Sequence, residues 1–185
     1  SSRIRFLQHI PHLERMGARI TVEPLLPPDY LPRLYKGSAR TPAQVASGML
    51  RRFWKVVNEH DADIIWLQRE MLPFAPFTLE KLLLAKRKLV IDMDDAHHLY
   101  YKNHASWLGR TADRGKIDSL IKIADAVVVG NPALAEHARE VGALNVHEVP
   151  SAVDVARFKS RANATQTAFQ IGWIGTPITA NQSLP

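Results

Sequence analysis

The stretch of the chain best equipped for chemistry is a cluster of carboxylates and histidines. Asp92, Asp94 and Asp95 fall within four positions, and His97-His98 follow closely. The cluster comes after 89–91, a short branched apolar run of the kind that forms a strand buried on both faces. Because uncompensated charge is costly to bury, we expect the cluster where this strand leaves the core, at its carboxyl end. In open α/β sheets, that edge is where ligands bind.

The spacing of Asp92 and Asp94 matches an Asp-x-Asp pair and leaves three interpretations open. The carboxylates could hold a divalent metal that carries a nucleotide diphosphate, since hard cations take oxygen ligands. They could instead form a polar wall that binds sugar hydroxyls, or an acid/base pair. In the third interpretation, Asp94 or Asp95 only caps the backbone as it leaves the strand.

His97 and His98 could act as a base, bind a metal, or belong to a packing and recognition loop with the neighbouring tyrosines. No second histidine cluster with ligand spacing occurs in the chain. We therefore predict no metal site and keep both histidines as candidate substrate contacts.

Two further stretches could bind phosphate or another anion. Gly175 and Thr176 end an apolar run, where glycine lets the backbone approach a ligand and free amide groups suit phosphate. At the other end of the chain, Ser2 and Arg3 could bind an anion through hydroxyl, amide and guanidinium groups. The alternative for Ser2 and Arg3 is a plain helix cap beside an exposed arginine.

Composition narrows the class of protein. The 185 residues include 24 Lys plus Arg and 18 Asp plus Glu, which gives a net charge of +6, and no cysteine. Disulfides and thiolate chemistry are therefore excluded, and we expect a cytoplasmic protein. The basic charge is scattered and not interleaved with aromatics, so nucleic acid is not expected, whereas peripheral contact with an anionic inner membrane face stays open. No apolar run approaches the roughly 20 residues of a membrane helix.

Helical and strand patterns alternate along the chain. Helices are predicted over 1–16 (kinked at Pro11), 41–58, 78–86, 112–124 and 131–142; strands are predicted over 19–25, 63–68, 89–91, 126–130, 146–150 and 170–175. Alternation of this kind predicts an α/β fold, with a parallel Rossmann-like sheet covered by helices on both faces. Because such a chain normally opens on a strand, we expect further sequence before Ser1 and after Pro185.

Four stretches together resemble retaining glycosyltransferases of the GT-B fold, family 4 in particular. Residues 2–13 look like the first helix after the glycine-rich loop of that family, and 125–132 with Leu134 and His137 look like a late strand and helix of its N-terminal domain. Residues 149–154 with Phe158 resemble the "Pro-Asn-Gly-Val-Asp…Phe" crossover signature, with Ser151-Ala152 in place of Asn-Gly. Residues 171–177 resemble the first strand and loop of the C-terminal domain.

The resemblance implies a Rossmann-like acceptor-side domain over 1–150, a crossover over 151–168 and the start of the nucleotide-sugar-binding domain over 169–185. It also implies a UDP- or GDP-sugar donor, a carbohydrate or lipid-linked acceptor, retention of configuration and no tightly bound cofactor. A histidine-aspartate pair of the family contacts the donor sugar; here Asp95 matches the aspartate and Asp94 stands in place of the histidine. The other donor-binding residues of the family would lie beyond Pro185.

We therefore expect most of the N-terminal domain of a glycosyltransferase, inactive by itself, with Asp94 and Asp95 as catalytic residues. Ser2, Arg3, His97, His98, Gly175 and Thr176 are the candidate substrate contacts. The alternatives are an Asp-x-Asp metal-dependent nucleotide-sugar enzyme and a non-catalytic α/β module that binds an anion or a membrane face.

Overall fold

The structure is a computed structural model of the 185-residue chain and describes residues 2–27, 30, 42–59, 61–96, 99 and 115–155. Residues 156–168 of the predicted connection and the predicted start of the second domain lie outside this part of the chain. So do four of the candidate contacts: His97, His98, Gly175 and Thr176. The predicted division of the chain at 151 and 169 stays a prediction.

Helices and strands alternate through the described residues. The helices are a π-helix at Arg3–Leu7, α1 at Ile10–Arg15, α2 at Pro42–Asn58, α3 at Phe77–Leu84, α4 at Lys116–Ile123 and α5 at Pro132–Val141. The strands are β1 at Ile64–Gln68, β2 at Lys88–Met93, β3 at Ala126–Val129 and β4 at Val146–Glu148. None of the helices in the described part of the chain is long and apolar enough to cross a membrane.

The four strands form a single sheet in the order β1-β2-β3-β4, and each neighbouring pair is parallel. Parallel neighbours need a crossover between them, and α3, α4 and α5 lie between successive strands in the sequence. The predicted α/β class with a parallel, Rossmann-like sheet flanked by helices is therefore confirmed for this part of the chain.

One face of the sheet carries the apolar core. The register aligns Leu67, Ile91, Val127 and Val146 across the four strands, so their side chains share a face. Helices α4 and α5 pack here through Ile117, Leu120, Ile121, Leu134, Ala135 and Ala138, all buried. Each fully buried large side chain contributes about 1.5–3 kcal/mol, so this face accounts for much of the stability of the fold.

The π-helix packs on the opposite face. The register places Gln68, Asp92 and Val128 in one row on that face. The Phe6 ring lies 4.5 Å from the Trp66 ring, measured between centroids, at a tilt of 43°. This contact brings the N-terminal segment over the ends of β1 and β2.

Local signals in the sequence explain the ends of α5. The Asn131 side chain accepts a hydrogen bond from the Leu134 amide at 3.0 Å, and Pro132 occupies the first helical position. Gly142 ends the helix with φ = 105°, a conformation that favours glycine. The predicted start and end of this helix are confirmed.

The predicted first helix is split in two. Instead of one kinked helix over 1–16, the structure has a π-helix and α1, separated by Gln8 and His9. Pro11 has no amide hydrogen, and in a continuous α-helix its ring would meet the carbonyl of Leu7. Before Pro11 the backbone forms the wider π-helical turn, in which the Gln8 amide donates to the Arg3 carbonyl five residues back, at 3.1 Å.

The predicted strand 19–25 is wrong, since these residues form no strand. Arginines of α2 take up part of its backbone: Arg52 donates to the Glu23 carbonyl at 2.8 Å, and Arg51 to the Pro24 carbonyl at 2.9 Å. Pro24 has no amide hydrogen to donate to a neighbouring strand. The alternating pattern therefore marks a segment without regular secondary structure, whose carbonyls accept hydrogen bonds from α2.

Close packing of this segment against α2 depends on Gly48. A Cβ atom at position 48 would lie 2.3 Å from the Leu25 carbonyl oxygen, well inside contact distance. A larger residue at this position would force the segment and the helix apart.

Candidate functional site

The candidate site lies at the carboxyl edge of the sheet. Because the strands are parallel, their carboxyl ends meet at one edge, where α/β sheets bind ligands. Gln68 ends β1, and Asp94 and Asp95 follow β2 directly. Asp94 is half-buried and Asp95 is exposed. The structure therefore places both aspartates where the strand leaves the core, as expected.

The expectation was wrong for Asp92. This residue belongs to β2 and is 1% exposed. Its oxygens accept hydrogen bonds from Arg5, Oδ1 from Nε at 2.8 Å and Oδ2 from Nη2 at 3.0 Å. Asp92 tolerates burial because the guanidinium group neutralises it in a two-point contact. We call Arg5 and Asp92 the edge pair.

Arg5 is the residue that sequence reasoning missed. It is 5% exposed and lies 87 positions from Asp92 in the chain. The prediction of one helix over 1–16 did not indicate that Arg5 is buried, and the apolar side chains of Ile4 and Leu7 on the same segment are 39% and 43% exposed. The π-helix turns the arginine towards the sheet instead.

Burial dominates the electrostatics of the edge pair. It raises the pKa of the Asp92 carboxyl above its ordinary value, and the hydrogen bond and charge of Arg5 offset this only in part. The negative charge of Asp94 raises the same pKa further, and His9 lowers it. These effects place Asp94 and His9 within electrostatic range of Asp92.

A chain of hydrogen bonds crosses the edge above Asp92. The Ser2 hydroxyl donates to Oε1 of Gln68, and Nε2 of Gln68 donates to Oδ1 of Asp94 at 3.5 Å. Ser2 occupies the N-cap position but makes no side-chain capping bond to its own helix, so the alternative of a plain cap through the Ser2 hydroxyl does not apply. The hydroxyl of Ser2 instead connects the N-terminal segment to the carboxylate edge.

The remaining described candidate, Arg3, is exposed on the π-helix. The structure therefore brings Ser2 and Asp94 together through Gln68, with Asp95 next to Asp94. Sequence reasoning missed Gln68, although its position at the end of a predicted strand was the available signal.

The N-terminal segment also contacts the chain that leaves β4. Nη1 of Arg5 donates to the Val149 carbonyl, and Nε2 of Gln8 donates to the Ala152 carbonyl at 2.7 Å. Residues 149–152 therefore lie beside the N-terminal helical segment at the same end of the sheet.

A second buried ionic group lies beyond the end of β1. The Lys116 ammonium contacts Glu70 at 2.9 Å, Glu80 at 2.7 Å and the Leu72 carbonyl at 2.6 Å. The Glu80 carboxylate also accepts hydrogen bonds from the backbone amides of Met71 and Leu72. We call Glu70, Glu80 and Lys116 the loop cluster, since they organise the loop between β1 and α3.

The edge has features of a polar binding surface. Carboxylate, amide and hydroxyl groups in a row can bind sugar hydroxyls. Both oxygens of Asp92 are engaged by Arg5, which leaves Asp94 as the accessible half of the Asp-x-Asp pair. The residues that the structure describes contain no group of three or more His, Asp or Glu that could hold a metal ion.

No protein-family model matches this chain, and no significant match was found among curated proteins or solved structures.

Proposed function

We propose that this chain forms the acceptor-side part of a retaining glycosyltransferase. Such an enzyme moves a sugar from a UDP- or GDP-sugar to a hydroxyl of a carbohydrate or lipid-linked acceptor. The four matching stretches suggest this class, and the parallel sheet is the architecture that the class requires.

The position of Asp95 carries the proposal. Asp95 matches the aspartate of the family's histidine-aspartate pair, and it lies exposed at the ligand edge of a parallel sheet. If Asp95 only capped the end of the strand, the adjacent row of hydrogen-bonded polar side chains, Ser2, Gln68 and Asp94, would have no explanation.

In the proposed reaction, the acceptor oxygen forms a bond to the anomeric carbon as the bond from that carbon to the diphosphate breaks. The electron pair leaves with the nucleoside diphosphate, which also takes up the hydroxyl proton. Asp95 and Asp94 would orient sugar hydroxyls and stabilise the positive charge that develops at the anomeric carbon. Gly175 and Thr176 would help to bind the diphosphate through their amides.

The neighbouring gene sequence offers the simplest test. The proposal predicts a glycine-rich strand and loop upstream of Ser1, and downstream of Pro185 two glutamates separated by seven residues. A reading frame that lacks both features would contradict it.

Sugar transfer by the full-length protein is the decisive test, with labelled UDP- and GDP-sugars as donors. Asp95→Asn should lower kcat/KM by at least ~100-fold, because it removes a charge next to the reacting carbon. Asp61→Asn is the matched control, since Asp61 is exposed before β1, at the other end of the strand.

Unchanged transfer by Asp95→Asn would refute the role of Asp95. Activity that requires added Mn²⁺ or Mg²⁺ and disappears in Asp94→Asn would instead favour the metal-dependent enzyme. Salt-sensitive binding to anionic vesicles, with no transfer and no effect of Asp95→Asn, would favour the binding module.

A further inference from the structure

We infer that Arg5 is a positioning residue that fixes the position of residues 149–152, which follow β4, relative to Asp94 and Asp95 at the carboxyl end of β2. We call these two aspartates the acidic edge. Its guanidinium donates from two nitrogens to Asp92 and from the third to the Val149 carbonyl. Asp92 lies two residues before Asp94, and Val149 directly follows β4. Because the guanidinium group is rigid and planar, these three bonds fix the mutual position of the groups that accept them.

Other contacts of the same short segment support this role. Gln8 donates to the Ala152 carbonyl, while Ser2 donates to Gln68 beside Asp94. The helical segment therefore contacts the acidic edge and residues 149–152 at once. A π-helix is rare and persists where the surrounding contacts determine it, and the buried side chain of Arg5 supplies such contacts.

The consequence for catalysis rests on the proposed function. In that function, residues after 150 lead to the donor-binding domain. The position of Val149 therefore affects how the anomeric carbon of the donor is aligned with the acceptor hydroxyl. Arg5 would then affect the alignment of two bound substrates and not the binding of either. Poor alignment lowers kcat and leaves both KM values little changed.

Hydrogen exchange of the 185-residue chain tests the positioning role without any sugar. The double variant Arg5→Met with Asp92→Leu removes both charges together, so no unpaired charge stays buried. Arg5→Lys keeps a positive charge beside Asp92 but cannot supply the three-point planar contact. Arg15→Met is the control, since Arg15 is exposed and bonds to the Pro11 carbonyl of its own helix.

The amide of Val149, which donates to the Val129 carbonyl, should exchange at least ~10-fold faster in both Arg5 variants. The amide of Val127, which donates to the Asn145 carbonyl in the core of the sheet, should be unchanged. Arg15→Met should leave both rates unchanged. If the double variant does not fold, Arg5→Lys decides the question.

Unchanged exchange at Val149 in the folded variants would overturn the inference. In the full-length enzyme, a raised KM with an unchanged kcat would also overturn it, because Arg5 would then act in binding. A protein that transfers no sugar would refute the proposed function and leave the exchange result to decide the role of Arg5.

Discussion

The edge pair and the loop cluster are both buried ionic groups near the carboxyl ends of β1 and β2, but they differ in how the chain holds them. Met71 and Leu72, whose amides bond to Glu80, belong to the apolar core. The edge pair depends on an arginine from a five-residue π-helix. Opening the loop cluster therefore disrupts the core, whereas the edge pair can open when the N-terminal segment detaches.

Burial alone therefore does not determine how strongly an ion pair is coupled to global unfolding. Lys116 is 1% exposed, and its ammonium group forms ion pairs with Glu70 and Glu80 and a hydrogen bond to the Leu72 carbonyl, all in the β1–α3 loop or in α3. Arg5 is almost as buried, yet it joins three segments that are distant in sequence. We expect the loop cluster mainly to stabilise the fold and the edge pair mainly to position the segments that it joins.

The largest effect should come from Lys116→Met. It leaves Glu70 and Glu80 buried without their cation, which costs roughly 3–5 kcal/mol of unfolding free energy. Urea denaturation measures the loss, and Lys122→Met on the exposed side of the same helix is the control. An equal loss in both variants would show that the cluster contributes no more than an exposed lysine.

Arg5→Met should lower the free energy of unfolding by about 2–3 kcal/mol, less than Lys116→Met does, because water can reach Asp92 when the N-terminal segment detaches. The double variant with Asp92→Leu should recover most of it, since no buried charge then lacks a partner. The same urea titrations measure both. A loss as large as that of Lys116→Met would mean that the edge pair does not open locally.

The edge pair should also make the stability of the fold depend on pH, with an effect smaller than that of Arg5→Met. The pKa of Asp92 is raised by burial, so between the ordinary value of 3.8 and the raised one the folded state binds more protons than the unfolded state. The contribution of Asp92 is thus fully present below pH 3.8 and is lost as the pH rises through the raised pKa.

The difference in unfolding free energy between wild type and Asp92→Asn, measured by urea titration across this range, should therefore fall as the pH rises. A difference that grows with pH would show that the attraction of Arg5 outweighs the cost of burial.

The smallest effect should come from the exposed pair Lys88 and Asp125, 2.7 Å apart. Their hydrogen bond raises the pKa of Lys88 and lowers that of Asp125, but water screens the charges. Lys88→Gln should barely move the urea midpoint, and added salt should remove the shift. A large, salt-independent loss would contradict this ranking of buried above exposed pairs.

Much of the fold was predictable from the sequence. The predicted strands 63–68, 89–91, 126–130 and 146–150 correspond to β1, β2, β3 and β4, and the predicted helix 112–124 contains α4, whose Ile117, Leu120 and Ile121 are buried. These elements follow from periodicity, which is local. The predictions failed at 1–16 and 19–25, where Pro11 and the arginines of α2 decide the backbone.

Less of the candidate site was predictable. The carboxylates after β2 were found because they follow a strand in sequence, and Asp94 and Asp95 do lie at its end. Arg5 and Gln68 were not found, because neither stands near those carboxylates in the chain. Pairing across 87 positions leaves no local pattern.

Local sequence was enough to predict the four strands, their parallel arrangement and most of the helices, and to identify the residues that follow the end of β2, because these features depend on near neighbours and on alternation. The tertiary structure decided that Asp92 is a neutralised structural carboxylate while Asp94 and Asp95 stay at the accessible edge. That distinction depends on a guanidinium delivered by a distant helical segment, and only folding brings the two charges within hydrogen-bonding distance.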